Sequence, residues 1–203
     1  MKDLSAGFSA PLSVPRPRGA RLLEGFSPKL RRRVQLFDRA NFAQWIQLEA
    51  DPNVLSMCER PARMGPAPDA KLIDFWVRRA DRDEFVALEA MPPDQLPAAV
   101  DELPVLAIRR ADLAAAAVWI NNWQRMLPVI NATQSVVPKH LLKTICRGVR
   151  QPKALGLLEY EFSIADPGVV RGAIFELLRV GQLVSPGLHV EPLSRHTLVE
   201  AAP

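Results

Sequence analysis

Two short apolar runs, Leu72-Ile73-Asp74-Phe75 and Phe85-Val86-Ala87-Leu88-Glu89, each carry an acid and are separated by the charged segment Ala80-Asp81-Arg82-Asp83. Their apolar and aromatic residues, with the polar turn between them, predict a β-hairpin over residues 71–78 and 84–90. Because the central positions are almost continuously apolar, we expect a sheet that is covered on both faces. The hairpin would place Asp74 near Glu89, and carboxylate oxygens are the ligands that Mg²⁺ prefers.

The segments around this hairpin predict a mixed α/β core. Periodic apolar residues indicate a helix over residues 36–50, which Asp51-Pro52-Asn53 ends, and a longer helix over residues 110–127. Short strands are predicted at residues 54–57 and 103–108. We therefore expect an α/β fold with a mixed sheet that is flanked by helices.

A second, smaller unit is predicted to begin near Pro138, since proline is favoured at the start of a helix. Helical patterns cover residues 139–149, 153–160 and 167–180, and two brief strands are expected within residues 182–190. Three helices and a hairpin predict a winged helix-turn-helix whose third helix faces a DNA groove. A helical cap that completes the first core is the alternative. The predicted domains are a flexible basic arm (1–25), the mixed-sheet domain (26–135) and the winged-helix-like domain (136–203).

The 203 residues carry a net charge of +4 that is unevenly distributed. Residues 1–34 contain eight Lys/Arg and two Asp/Glu, whereas residues 35–137 contain ten and fourteen. Residues 138–203 contain eight Lys/Arg and six Asp/Glu. Basic ends beside an acidic middle suit a protein that holds a phosphate backbone and keeps acids for a cation. An ordinary solvated face is the alternative for the basic triplet at residues 31–33.

Composition also limits the classes of protein to consider. No apolar stretch is long enough to span a bilayer, and the N-terminus lacks the apolar segment of a signal peptide. These features favour a soluble, cytoplasmic protein without a membrane partner. Cys58 and Cys146 lie far apart without Cys or His at metal-binding spacing, so neither a disulfide framework nor a zinc site is indicated.

Five short segments carry a resemblance to a known family. They are residues 49–54 (EADPNV), 60–61 (RP), 73–75 (IDF), 120–123 (INNW) and 191–194 (EPLS). In these segments the chain resembles the TnsA-type endonucleases of heteromeric transposons, over roughly residues 29–200. The resemblance implies a restriction-endonuclease-like domain followed by a winged-helix-like domain.

The resemblance also implies a catalytic site at Asn41, Asp74 and Glu89, but a degenerate one. Asn41 stands where the family has a helix glutamate, and Ala87 and Glu89 stand where its strand has glutamate and lysine. Because magnesium needs anionic oxygen ligands, this substitution pattern implies a site without activity and without a cofactor. The alternative is an active, Mg²⁺-dependent endonuclease that holds metal through Asp74 and Glu89, helped by Asp38 or Glu49.

The function implied by the resemblance is that of a DNA-binding, inactive subunit of a transposon recombination machinery. Double-stranded DNA, a transposase subunit and an ATPase regulator are the implied partners. A third interpretation is a winged-helix regulator that keeps the nuclease core as scaffold. Trp45 and Trp119 are expected in the core, and His189 on the wing. The predicted DNA-contacting cations are Lys29, Arg31, Arg32, Arg33, Lys139, Lys143, Arg171, Arg179 and Arg195.

Overall fold

The computed structural model of the protein describes residues 8–88, 97–163 and 166–203. These residues form two compact units. The first extends to Leu48 and includes Asn53–Ala115; the second consists of Glu49–Pro52 and Ala116–Pro203. None of the helices in these ranges combines the length and the apolar character needed to cross a bilayer.

The first unit is built around a mixed sheet. Its elements are β1 (Leu23–Ser27), β2 (Arg32–Leu36), α1 (Arg39–Ala50), β3 (Val54–Glu59), β4 (Phe75–Arg79), β5 (Asp83–Leu88), β6 (Ala99–Val100), β7 (Leu103–Ile108) and α2 (Arg110–Ala115). Within the described residues the main sheet has the strand order β3-β4-β5-β7-β6. The β3/β4, β4/β5 and β6/β7 pairs are antiparallel and the β5/β7 pair is parallel. The predicted α/β class with a mixed sheet and flanking helices is confirmed.

The hairpin that dominates the sequence forms the centre of this sheet. Phe75 pairs with Val86 and Trp76 with Phe85. All four side chains are buried, although successive residues of a strand point to opposite faces. The prediction that both faces of the sheet are covered is therefore confirmed.

The N-terminal segment contributes more structure than the predicted flexible arm. Phe8 is buried and packs edge-on against Phe85, with ring centroids 5.2 Å apart. Strands β1 and β2 form an additional antiparallel hairpin, in which Leu23 pairs with Leu36. The sequence prediction did not include this hairpin, because each strand has only five residues and the preceding prolines favour irregular backbone.

The second unit contains a helical cluster and a small sheet. Its elements are α3 (Ala117–Thr133), α4 (Lys139–Gly148), β8 (Lys153–Ala154), α5 (Leu155–Phe162), α6 (Pro167–Arg179), β9 (Leu183–Val184) and β10 (Leu198–Ala201). Strand β10 lies between β8 and β9 and is antiparallel to both. The three helices predicted after Pro138 are confirmed.

The prediction of a second strand within the hairpin at residues 182–190 is wrong. Pro186–His189 forms a 3-10 helix, and β9 instead pairs with β10. Proline has no N–H to donate to a strand partner, and Leu188 N donates to Ser185 O in a tight turn that buries the Leu188 side chain.

The boundary between the two units also differs from the predicted position at residue 135. The single helix predicted over residues 110–127 is two helices, and α3 belongs to the second unit, where it packs against α6. Trp123, Met126 and Ile130 are buried on the inner face of α3. A Cβ at Gly172 of α6 would overlap the Thr133 side chain, so the close approach of these helices requires glycine there.

Candidate functional site

Asp74 is held at the N-terminal end of β4 by two hydrogen bonds. Its Oδ1 accepts from Asn41 Nδ2 at 2.6 Å, and its Oδ2 accepts from the Leu88 backbone N–H at 2.7 Å. Asn41 lies on α1, and Leu88 is the last residue of β5. The structure therefore brings together the predicted site residues Asn41 and Asp74 and places them beside the end of the neighbouring strand.

The environment of Asp74 favours its protonated form. Burial raises the pKa of this carboxyl, and the nearby Asp38 carboxylate raises it further. The hydrogen bonds from Leu88 and Asn41 and the positive charge of Lys71 oppose the increase, but the pKa stays above its ordinary value. The raised pKa of Asp74 thus results mainly from its removal from water.

The other positions of the predicted metal site supply few ligands. Ala87 is completely buried and its side chain carries no oxygen. Glu89, the remaining predicted catalytic and metal-binding residue, lies outside the described residues. In the ranges that the structure describes, no group of three or more His, Cys, Asp or Glu side chains could hold a metal ion. The described side chains alone therefore do not fit a magnesium site, which depends on several oxygen ligands.

The two acids considered as replacement ligands already have other contacts. Asp38 Oδ1 accepts from the Ala40 N–H at 2.5 Å, as a helix N-cap does, and its Oδ2 lies 3.5 Å from Arg110 Nη2. In the second unit, Glu49 is fully buried and lies 3.9 Å from Arg179. Each carboxylate is therefore already engaged in contacts within the protein.

Four of the nine predicted DNA-contacting cations are occupied by contacts within the protein. Lys29 Nζ donates to the carbonyl oxygens of Leu48 and Val54, both at 2.8 Å. Arg32 forms a bidentate ion pair with Glu59, with contacts of 2.8 and 2.6 Å. Such side chains hold the fold together and have less freedom to reach a ligand.

The same is true of the two arginines on α6. Arg171 forms a bidentate pair with Glu159, at 2.5 and 2.9 Å. Arg179 binds both carboxylate oxygens of Glu176, at 2.7 and 2.6 Å. Seven of the thirteen residues of α6 are buried, so this helix offers little surface for the groove contact that the sequence predicted.

The remaining predicted cations are exposed, and none has a side-chain hydrogen bond or ion pair with another described residue. Arg31 occupies the turn between β1 and β2, with a φ of 53°, and Arg33 lies on the solvent side of β2. Lys139 and Lys143 lie on α4. Arg195 borders a cavity of about 240 Å³ that is also lined by Arg125 and Ser194.

Helix α4 and the residues after it carry two further cations that the sequence prediction did not include. Arg147 lies in the last turn of α4, Arg150 lies just beyond it, and both are exposed. A signal for them was present in the sequence, because no Asp or Glu occurs in residues 113–158, a stretch of 46 residues.

The aromatic residues serve mainly in packing. Trp45 is only 2% exposed, which confirms its predicted core position. Trp119 is half-buried and stacks on the exposed ring of His189, with centroids 4.0 Å apart and an interplanar angle of 3°. His189 thus lies in the 3-10 helix against α3 and not in a strand of the predicted wing.

No protein-family model matches the chain, and no curated protein is significantly similar to it.

Proposed function

We propose that this chain is a DNA-binding protein of the TnsA-like type whose nuclease-type acidic site does not cleave. In this proposal it is a subunit of a transposon recombination machinery in the cytoplasm, and it assembles with a transposase, and with an ATPase regulator, at transposon ends. The observation that carries the proposal is the direct hydrogen bond between Asn41 and Asp74. These residues are 33 positions apart in sequence, and the family resemblance is what aligned them with one site.

Loss of cleavage follows from the ligands that remain. A metal-dependent nuclease uses its cation to polarise the phosphate and to activate water, which requires several anionic oxygens around one ion. Here one carboxylate, Asp74, accepts two protein donors and has a raised pKa. Among the other described positions, Asn41 adds a neutral amide and Ala87 adds no ligand, so the part of the site that the structure describes carries little negative charge.

Two features support DNA binding. Both units expose cations that pair with no other described side chain, and the chain as a whole has a net charge of +4. In the second unit, the last three of the four helices, α4, α5 and α6, are followed by the antiparallel strands β9 and β10, an order that suits the winged-helix interpretation. The restriction-endonuclease-like identity of the first unit is likewise part of the proposal, supported by the mixed sheet with Asp74 beside the end of β5.

An active, Mg²⁺-dependent endonuclease is the second candidate function, and one observation favours it. Asp38 is close enough to raise the pKa of Asp74, so two carboxylates approach this part of the first unit. In this alternative, Asp74 and Glu89 hold the metal and Asp38 supplies a third oxygen ligand.

Two measurements on the full chain test the proposal. Fluorescence anisotropy with a labelled duplex should show binding, and a supercoiled plasmid incubated with Mg²⁺ or Mn²⁺ should stay intact. Cleavage that disappears in the Asp74→Ala variant would establish the alternative. Absence of binding to transposon-end and unrelated duplexes alike would refute both functions.

A further inference from the structure

We infer that α4, and not α6, holds the phosphate backbone of double-stranded DNA, through Lys139, Lys143, Arg147 and Arg150. This inference rests on the proposed DNA binding and specifies which surface of the second unit performs it. It also specifies the mode of binding, which is electrostatic and independent of base sequence.

The ion pairs and the burial of α6 exclude this helix as the main DNA-contacting element. Its two arginines are neutralised by bidentate pairs with Glu159 and Glu176, and most of the helix is buried. To reach a phosphate, each arginine would first have to give up a carboxylate partner. For Arg171 this would leave Glu159, which is 6% exposed, without its counter-ion, and an uncompensated buried charge is strongly unfavourable.

Helix α4 has the opposite character. Ile145 is fully buried, and Leu141 and Leu142 are half-buried. At about 100° per residue, Lys139, Lys143 and Arg147 fall within an arc of about 80° on the other side of the helix. All three are exposed, and none forms a side-chain hydrogen bond or ion pair with another residue that the structure describes. The helix therefore packs through one face and presents a row of cations on the other.

The segment of the chain that contains this row has no acidic residues of its own. No Asp or Glu occurs in residues 113–158. The next cation along the chain, Lys153, shows the contrast, because its Nζ contacts both oxygens of Glu161 at 3.0 and 2.7 Å. A row of positive charge attracts a polyanion over a distance set by the ionic strength.

The length of the row suits a DNA strand. Lys139 and Arg147 are eight residues apart, which corresponds to about 12 Å along a helix. One strand of duplex DNA rises by about 3.4 Å per phosphate, so the row spans three to four phosphates. Arg150 lies in the bend after α4 and is also exposed.

The residue types on this surface determine what it can recognise. Lysine and arginine that contact phosphates fix the position of a protein on DNA but do not read its sequence. For four such contacts, the logarithm of the binding constant should fall with the logarithm of the salt concentration with a slope of about −3.6. Any further contacts elsewhere in the chain would add to that slope.

The test measures anisotropy of a labelled random-sequence duplex at several salt concentrations. Each cation removed from α4 should reduce the steepness of the slope by about 0.9 and weaken binding about eightfold at about 0.1 M salt. The Lys143→Ala/Arg147→Ala double variant should therefore bind about sixtyfold more weakly, equally on every duplex. The Lys143→Arg variant should bind as the wild type does. Circular dichroism melting confirms that each variant is folded.

Lys153→Ala is the matched control, because it removes the same charge from the same unit but from a cation that is already paired. Its slope should equal that of the wild type. If the wild type binds DNA and the double variant keeps its affinity and slope, the assignment to α4 fails while the proposed function stands. If the wild type binds no duplex, the proposed function itself fails. Tighter binding to a single-stranded RNA of the same length would also overturn the inference.

Discussion

Asn41 Nδ2 lies 2.6 Å from Asp74 Oδ1, so an amide on α1 forms a direct hydrogen bond with the carboxyl group that precedes β4. A carboxylate in that position on α1 could share a cation with Asp74, whereas an amide donates a hydrogen bond to it. The two side chains that the resemblance aligned with a metal site thus stabilise each other through a direct hydrogen bond.

The protonation of Asp74 should make stability depend on pH. Because its pKa is raised in the folded state, this residue favours folding most below the ordinary aspartate pKa of about 3.9. That contribution is lost as the pH rises through the raised pKa. Urea unfolding of the wild type and of Asp74→Asn, from about pH 4 to neutrality, should show the wild type losing free energy of unfolding relative to the variant. A difference between them that is constant with pH would contradict the raised pKa.

Placing an acid at position 41 of α1, beside Asp74, should create sensitivity to magnesium. In Asn41→Asp the hydrogen bond to Asp74 is lost and two carboxylates face each other, so we expect a loss of about 2 kcal/mol at neutral pH without metal. Millimolar Mg²⁺ should recover part of this loss, because a ligand that binds only the folded state stabilises it. Thermal unfolding with and without Mg²⁺ measures the effect. Asn41→Ala is the control, which should be destabilised but should not be stabilised by Mg²⁺. If Mg²⁺ stabilised the wild type as much as Asn41→Asp, the proposed loss of the metal site would be contradicted.

Two adjacent arginines of the basic triplet should behave differently on substitution. Arg32 pairs with Glu59, which is 2% exposed, whereas the side chain of Arg33 pairs with no residue in the described ranges. Arg32→Ala should cost about 3 kcal/mol of unfolding free energy, because it leaves a buried carboxylate without its counter-ion. Arg33→Ala should stay within about 0.5 kcal/mol of the wild type. Chemical denaturation of both variants compares them, and equal stabilities would show that the Arg32–Glu59 pair contributes little.

The extent to which the sequence predicted the fold depends on the length and regularity of each pattern. The central hairpin and helix α1 follow from local patterns of apolar residues and turn signals, so they were predicted close to their observed positions. The β1–β2 hairpin was missed because its short strands, LEGFS and RRVQL, lack a continuous apolar run. The partner of β9 was misplaced because it lies beyond a turn and a connection at residues 185–197, and no local pattern reveals so distant a pairing.

The candidate site could be predicted from the sequence only in part, for a different reason. No periodicity links Asn41 with Asp74; only the family resemblance placed them together. Arg32 and Arg171 could not be recognised as occupied from the sequence either, since Glu59 is 27 positions from Arg32 and Glu159 is 12 positions from Arg171. Charge composition identifies basic segments, but the tertiary fold decides which cations remain available to a ligand.

The contact between α3 and α6 should be sensitive to a single methyl group. A Cβ at Gly172 would overlap the Thr133 side chain, whose hydroxyl donates to Val129 O at 2.8 Å. Gly172→Ala should therefore destabilise the protein by about 1–3 kcal/mol, although alanine favours a helix by up to about 1 kcal/mol. Gly187→Ala is the control, since a Cβ there has no neighbour within 4 Å. Thermal melting that ranks Gly172→Ala at or above the wild type would contradict the close packing.

The position of the segment that follows the 3-10 helix should depend on one buried asparagine. Asn122 is 2% exposed, and its Nδ2 donates to Leu188 O and Glu191 O, both at 2.8 Å, while its Oδ1 accepts from Leu193 N at 2.7 Å. Asn122→Ala leaves these three backbone groups without their partner, so we expect a loss of about 3 kcal/mol in unfolding free energy. The neighbouring Asn121 is exposed, and Asn121→Ala should change stability by less than about 0.5 kcal/mol. Hydrogen exchange should show faster exchange of the Leu193 amide in Asn122→Ala alone, and unchanged protection there would mean that another contact holds this segment.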